Sequence, residues 1–560
     1  MGKSFLILIF LALQGFCGDD SDALLPRAPT SSAPPTPLLS AQISPRSEAM
    51  SSLESTDADT DGDEGPDLGG CALYPAGGIA PRRSLLTYLD GFPASPMPRA
   101  TSAGDLLRST SPKILIFARY GLNFSFHEIL REIPKENIVV IAPAEFETRT
   151  DKASSEEAFR QVIYIKGYLN SSNIDAIIPE LRVRFPFTRI IFFSENDVAR
   201  AGRIADTFGL PGMLGAESSL LFREKLRMKQ AVASFKTPTG QSFRTPIFRE
   251  VNSLLDLHSF IHGTSGKPGQ ITITKNDSTG DFLFEPPIVL KDQYGAGAER
   301  TRVFSHQSEI DSFASSHGEE FSHHPTSRFV VETFVPGAMY HIDGIIQDGR
   351  QFMRAFAYMQ PPLAMTQGYS VADYTLPIDD PIHHHLIAYT QGLLAKMPGI
   401  INGSFHLEIF YQPEIPTSGN IFGNIIFCEI AMRPGGGAIS REWEASYGFN
   451  FHHQAMRAQA GLSLIDVPMG ETMLTPPRTL SCGILFPANG KTLLEFTVPD
   501  FGFLYDFRLL QPVGRSPLSS ATSVCDVWAD AVVTGPTVPE LHSNVETLMR
   551  YIEAKAKWSE

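Results

Sequence analysis

From Lys113 onward the chain alternates short apolar runs with stretches whose apolar residues recur every three or four positions. ILIFA (Ile114–Ala118), NIVVIAP (Asn137–Pro143), QVIYIKGY from Gln161 and RIIFFSEND (Arg189–Asp197) read as strands. FHEILREI (Phe126–Ile133) and IDAIIPELRVRF (Ile174–Phe185) read as amphipathic helices between them. Strands that are apolar on both faces and separated by helices predict a parallel sheet covered on both sides. ARAGRIADTFGLPG predicts a further helix that ends at Gly209.

The pattern then changes. FREKLRMKQAVASF (Phe222–Phe235) predicts a basic helix, FRTPIF (Phe243–Phe248) a strand and SLLDLHSFI a helix, before a polar stretch (Gly263–Asp281) that reads as a surface insertion. PPIVLK (Pro286–Lys291), SRFVVETFV (Ser327–Val335) and MYHIDGIIQDG follow as strands. GSFHLEIFYQ and FCEIAMRPGGG are separated by the polar turn YQPEIPTSGN and predict a hairpin. Side chains alternate along a strand, so Phe427, Glu429, Ala431 and Arg433 are expected on one side, and His406, Glu408 and Phe410 on one side. A helix around FHHQAMRAQAG follows, and the last hundred residues read as a small α+β unit ending in a helix over Val538–Lys557.

The first 112 residues look different. MGKSFLILIFLALQGFCG carries an apolar run of signal-peptide length, too short for a membrane span. Residues 19–112 are rich in Ser, Pro, Thr, Asp and Gly, and are expected to be a disordered linker. DADTDGDEG (Asp57–Gly65) imitates the start of a calcium loop, but its closing acidic position falls on Leu68, so it reads as a solvated acidic run. The segment Asp19–Asp67 holds eleven acidic and two basic residues, a net −9 out of −15 for the whole 560-residue chain. With 42% apolar and 19% charged residues and no basic stripe, the remainder is an ordinary globular composition that argues against nucleic acid as a partner. Five cysteines without a CxxC or Cys/His cluster give no zinc site.

Chemistry concentrates on a few charged residues set in apolar strands. In the predicted hairpin Glu408 and Glu429 face the same side of one sheet, where two adjacent carboxylates need a cation between them. Hard oxygen ligands favour Mg²⁺ or Mn²⁺. VLKDQYGAGAERTRVF places Lys291 at a strand end before Gly295 and Gly297, which suits a loop laid over phosphates. Glu332 closes an apolar run just before Pro336–Gly337, where an adenine amino group or ribose hydroxyl could be held in an apolar cleft. Each of these has a bland reading as a solvated or edge-strand residue; their order along the chain sets them apart.

A lysine-bearing helix, a lysine strand with a glycine loop, a Glu–Gly hinge, an HxE strand and an ExxxRPGGG strand, after a parallel α/β region, together resemble the ATP-grasp superfamily. The resemblance is to its carboxylate–amine ligases of the carnosine-synthase and L-amino-acid-ligase kind. It covers residues 113 to 560 and implies a multidomain α/β and α+β protein. The parts would be a leader (1–18), the linker (19–112), a parallel α/β domain (113–215), an ATP-grasp domain of two α+β subdomains (216–460, with a lid at about 225–335) and a small α+β C-terminal domain (461–560).

The resemblance further implies that Lys225 and Lys291 hold ATP phosphates, with Lys291 and Arg433 catalytic. Tyr294, Gly295, Ala296, Gly297 and Ala298 would form the closing loop, and Glu332, Thr333, Phe334 and Val335 would bind adenine. Glu408 and Glu429 would hold Mg²⁺ (or Mn²⁺). Arg433 would meet the activated carboxyl, and Gly435, Gly436 and Gly437 would border the substrate.

Two departures from the family pattern stand out. Ala338 and Met339 occupy the place where many members hold ribose with an acidic residue, and Ala431 the place of a frequent asparagine. The expected function is an ATP-dependent ligation of small carboxylate and amine substrates, with no integral membrane span and room for a homodimer. The alternatives are an inactive nucleotide-binding protein and, ranked lower, carboxylase chemistry. The leader points to the secretory pathway and the ATP requirement to the cytoplasm.

Overall fold

The computed structural model describes residues 111–560, apart from 121–125, 127–129, 148–156, 170–171, 238–239, 263–286, 323–328, 413–420, 473–474, 517 and 560. The expected leader, nearly all of the linker, the acidic run 57–65, the surface insertion and most of the hairpin turn lie outside the described residues.

Strands β1 (Ile114–Phe117), β2 (Ile138–Pro143) and β3 (Gln161–Ile165), helix α1 (Ser172–Arg184), strand β4 (Arg189–Phe192) and helix α2 (Glu195–Phe208) form the parallel α/β region. The four strands pair in the order β3-β2-β1-β4, all parallel, as the doubly apolar runs predict. One face packs Leu115, Phe117, Val139 and Ile141 against α1 and α2. The other face holds Ile114, Ile116, Ile138 and Val140, with Phe126, Leu130 and Ile133 at helical spacing over it. Helix α2 is capped by the Ser194 side chain accepting from Asn196 N, and ends before Gly209.

After the short α3 (Ala216–Leu220) and α4 (Lys225–Ser234), a second sheet is built from β5 (Phe248–Val251), β6 (Ile288–Asp292), β7 (Arg302–Phe304) and β8 (Phe329–Thr333), in the antiparallel order β5-β8-β6-β7. Helices α5 (Leu254–His262) and α6 (Gln307–Ser322) cover its outer face through Leu257, Phe260, Ile310 and Phe313. The strand expected over Phe243–Phe248 begins only at Phe248, because Pro246 has no N–H to give a ladder.

The third sheet has eight strands: β9 (Ala338–Gln347), β10 (Arg350–Gln360), β11 (Val371–Thr375), β12 (Asn402–Tyr411), β13 (Ile425–Ala431), β14 (Leu480–Pro487), β16 (Leu504–Leu509) and β17 (Val527–Gly535). Their order is β13-β12-β9-β10-β11-β14-β17-β16, and β15 (Leu493–Glu495) pairs separately with β18 (Lys557–Trp558). The C-terminal strands thus close no separate main sheet; they extend the central one. Helix α7 (Pro381–Leu394) packs on one face, α8 (Ile439–Tyr447) on the other, and α10 (Val538–Lys555) on the C-terminal strands.

Helix α9 (Phe451–Ala460) ties this sheet to the first one. Its Ala455, Met456 and Ala460 complete the second face of the parallel sheet. Gln459 accepts from Phe192 N at 2.9 Å and donates to Phe192 O at 3.1 Å, serving the edge of β4 as a neighbouring strand would. Among the described residues no helix is long and apolar enough to cross a membrane.

His383, on α7, is fully buried, and neither ring nitrogen has a partner among the described residues. Burial, then the charges of Arg354 and His384, push its pKa down to about 3. The folded chain therefore binds fewer protons than the unfolded chain between about pH 3 and 6.5, and stability falls as pH drops through that window. At pH 5 this single group removes about 2 kcal/mol relative to neutral pH. His383→Leu is expected to narrow the gap between melting temperatures at pH 7 and pH 5; calorimetry at the two values checks it.

Candidate functional site

The site begins with the β12–β13 register. Glu408 pairs directly with Glu429, as the hairpin reading predicts. One step further the register slips, with Ile409 opposite Phe427, so Cys428 is an extra residue bulged out of β13. The bulge corrects one expectation: Phe427 does not share a side with Glu429. It joins Leu407, Ile409 and Ile430 in the apolar core, while Glu429 turns to the face that carries Glu408.

Each carboxylate has its own partners. Glu429 sits 3.2 Å from Lys225 Nζ at the start of α4. Burial would raise its pKa, but Lys225, followed by Lys291 and Lys229, holds it well below the usual carboxylate range. Glu408 accepts from the Tyr358 hydroxyl at 3.1 Å and lies 3.5 Å from His406 Nε2. Two carboxylates facing each other, each with one side occupied, fit a hard divalent cation completed by phosphate and water.

The inner face of the four-stranded sheet brings Lys291 (β6) and Glu332 (β8) to this hairpin. Glu332 is buried, with one oxygen 3.0 Å from Lys291 Nζ and the other 3.2 Å from Lys229 Nζ. Burial would raise the Glu332 pKa, but the two ammonium groups lower it. Lys229 also donates to the Cys428 carbonyl at 2.6 Å, and Lys291 lies 3.6 Å from the Cys428 thiol. Burial lowers the Lys291 pKa, but Cys428, Glu332 and Glu429 together leave it raised.

Both Glu332 oxygens thus lie within ion-pair distance of lysines, at the hinge expected to hold adenine. The N–H groups of Thr333 and Phe334 are likewise spent on the carbonyls of Ile247 and Pro287. Lys229 was missed in the sequence. Its signal was there, four residues after Lys225 and so on the same face of the helix.

The glycine loop folds back on α4. Tyr294 donates to Glu224 at 2.6 Å, and Lys225 donates to the Gly295 carbonyl. Gly297 accepts at 3.0 Å from the backbone of Val524, between β16 and β17, and a side chain there would collide with the Val524 methyl. Ala298 is left-handed, with φ 64°, a strained state of the kind stored in functional loops.

Arg433 reaches the first sheet rather than standing free. It donates to Glu195, at the start of α2, whose second oxygen is 3.2 Å from Arg223. Burial lowers the Arg433 pKa but Glu195 raises it further, so the guanidinium stays charged. Glu195 was another omission; an acidic residue behind a capping serine reads from sequence as ordinary helix-start chemistry.

Behind Glu408 runs a buried chain of acids and imidazoles. His406 Nδ1 lies 2.9 Å from Asp343, and the other Asp343 oxygen is 2.6 Å from His341 Nδ1. His341 Nε2 lies 2.9 Å from Asp373, next to Glu442 on α8, whose Oε1 accepts from Gly483 N at 2.7 Å. Burial first, then Asp373, raises the Glu442 pKa well above the usual carboxylate range. His341, Asp343 and His406 lie close enough to hold a metal. Their short mutual contacts are those of shared protons, closer than ligands spread around one ion.

The three glycines after Arg433 differ. A Cβ on Gly435 would lie 2.5 Å from Ile439 Cδ1, 2.9 Å from Asp343 Oδ1 and 3.0 Å from His406 Nδ1. Gly437 has φ 60° and packs on Leu485, whereas Gly436 opens onto free space.

No family model matches the chain. The L-arginine-specific L-amino acid ligase of Bacillus subtilis is 24% identical over 316 residues, 56% of this chain and 66% of that enzyme, so the chain spans just under two thirds of that relative's length. The crystal structure of an L-amino acid ligase from Bacillus licheniformis superposes with a TM-score of 0.56 at 12% identity, covering 80% of this chain and 99% of that one. The biotin carboxylase domain of Hydrogenobacter thermophilus 2-oxoglutarate carboxylase, solved with MgADP, ADP and bicarbonate, gives 0.52 at 13% identity, covering 81% and 92%. These likenesses show that the chain has the ATP-grasp fold expected from its sequence.

Two substitutions test the packing. Gly435→Ala is expected to cost about 1–3 kcal/mol through overpacking, and Gly436→Ala less than about 0.5 kcal/mol; urea unfolding of both distinguishes them. Glu332→Leu leaves the buried Lys229 ammonium without its carboxylate and weakens the pairing of Lys291, and should cost about 3–5 kcal/mol. Adding Lys229→Met to it should restore part of that loss in the same assay.

Proposed function

We propose that this ATP-grasp chain is an ADP-forming carboxylate–amine ligase acting on small, amino acid-like substrates. One observation carries the reading: Glu408, Glu429, Lys225, Lys291 and Arg433, far apart in sequence, converge from four elements and one loop at one mouth. Lys225 and Lys291 would bind the ATP phosphates from either side, beneath residues 294–298. Glu408 and Glu429 would hold Mg²⁺, which when bound neutralises phosphate charge and aligns the γ-phosphoryl group for transfer.

The substrate carboxylate takes the γ-phosphoryl group, ADP departs, and an acyl-phosphate forms. The amine then attacks the acyl carbon, phosphate leaves with its bonding pair, and the amine's proton is lost as the amide forms. Arg433, held by Glu195, is aimed at the negative charge that develops on the acyl oxygen. Positioning and charge compensation supply most of the acceleration. The similarity to L-amino acid ligases supports the class of substrate, and Gly436 borders the open side where a carboxylate could approach the backbone.

Glu429→Ala and Arg433→Ala should each lower amine-dependent ADP release by about 100-fold or more, with unchanged circular dichroism. An ADP-release screen of amino acids paired with amines, followed by product mass, supplies the assay. Full activity in both variants would sink the assignment.

A further inference from the structure

The chain of acids and imidazoles behind Glu408 does more than fill the sheet. On β9 and β12, Asp343 lies directly opposite His406, and His341 directly opposite Glu408. The His406 ring is hydrogen-bonded to Asp343 at 2.9 Å, and its other nitrogen lies 3.5 Å from the Glu408 carboxylate. Asp343 cannot turn away, because its second oxygen is fixed by His341 at 2.6 Å. His341 is fixed in turn, stacked on Phe356 with an interplanar angle of 2° and tied to Asp373. The Asp343–His406 pair also forms the floor on which Gly435 sits, with room for a hydrogen and not for a methyl group.

We propose that Asp343 is a positioning residue that governs two parts of the site at once: through His406 it orients the Glu408 carboxylate, and through Gly435 it seats the RPGGG loop. This rests on the reading of Glu408 as a metal ligand. Asparagine in its place keeps the shape but offers only one acceptor oxygen to two imidazoles, so one of them must turn or change tautomer. Groups that orient a metal ligand typically alter metal affinity 10- to 100-fold when changed.

The test is Mn²⁺ binding in the presence of ADP, followed by electron paramagnetic resonance, together with amide hydrogen exchange over residues 433–438. It uses the full chain as wild type, Glu408→Gln and Asp343→Asn. The proposal expects Mn²⁺ affinity to fall about 10- to 100-fold in Asp343→Asn, with exchange in the loop at least about tenfold faster by opening of the seat.

Wild-type Mn²⁺ affinity in a folded Asp343→Asn variant would overturn it while leaving the ligase reading intact, provided Glu408→Gln loses the ion. Should Asp343→Asn fail to fold, His406→Gln is read in the same way, and unchanged Mn²⁺ affinity there overturns the proposal. If the wild type binds no Mn²⁺ with ADP, or Glu408→Gln binds it unaltered, the metal reading fails and the proposal falls with it.

Discussion

Like charges placed directly opposite each other on adjacent strands repel, and the β12–β13 hairpin places Glu408 against Glu429 in just that way. The single extra residue at Cys428 makes this arrangement compatible with a core. Without it, strict alternation would put Phe427 on the polar side with Glu429. With it, the strand keeps its apolar residues inward and gives its two most useful atoms to the site, the Glu429 carboxylate and the Cys428 carbonyl that receives Lys229. The lysines, four-stranded sheet and glycine loop are arranged around that local irregularity.

The charges that follow are nearly all matched. Lys229 and Lys291 share Glu332, Lys225 meets Glu429, and Arg433 and Arg223 share Glu195. Ions so far from bulk water are tolerated only when paired, so the pairing sets where each side chain can point before any ligand arrives. Preorganised dipoles and charges of this kind need little rearrangement at the moment of reaction. The same pairing crosses between sheets, because Glu332 lies on β8 of the four-stranded sheet and Glu195 starts α2, which packs on the parallel sheet.

Much of this was legible in sequence where the signal is local. Doubly apolar runs gave the parallel strands, and the spacing of Glu408 and Glu429 around a polar turn gave the hairpin that the pairing shows. The bulge was not legible, since an extra residue leaves an ordinary apolar stretch behind. Lys229 was passed over because a second lysine on a basic helix looks solvated until the partner carboxylate, more than a hundred residues away, is known. Glu195 was hidden for the same reason, being tied to an arginine 238 positions later. The lysine partners of Glu332 were hidden too, because they come from two other elements.

Helix α9 has a bearing on how the chain can be divided. It lends three apolar residues and one amide side chain to a sheet built from residues more than 250 positions earlier. The parallel sheet is therefore finished only when residues 451–460 have been synthesised. Until then the face formed by Ile114, Ile116 and Val140 has Phe126, Leu130 and Ile133 over it but lacks the cover of Ala455, Met456 and Ala460. A fragment cut near residue 215, where the composition suggests a boundary, would leave the part of that face under α9 bare and invite self-association. The fold is a closed circuit rather than beads on a string, and its first sheet waits for its last large helical contact.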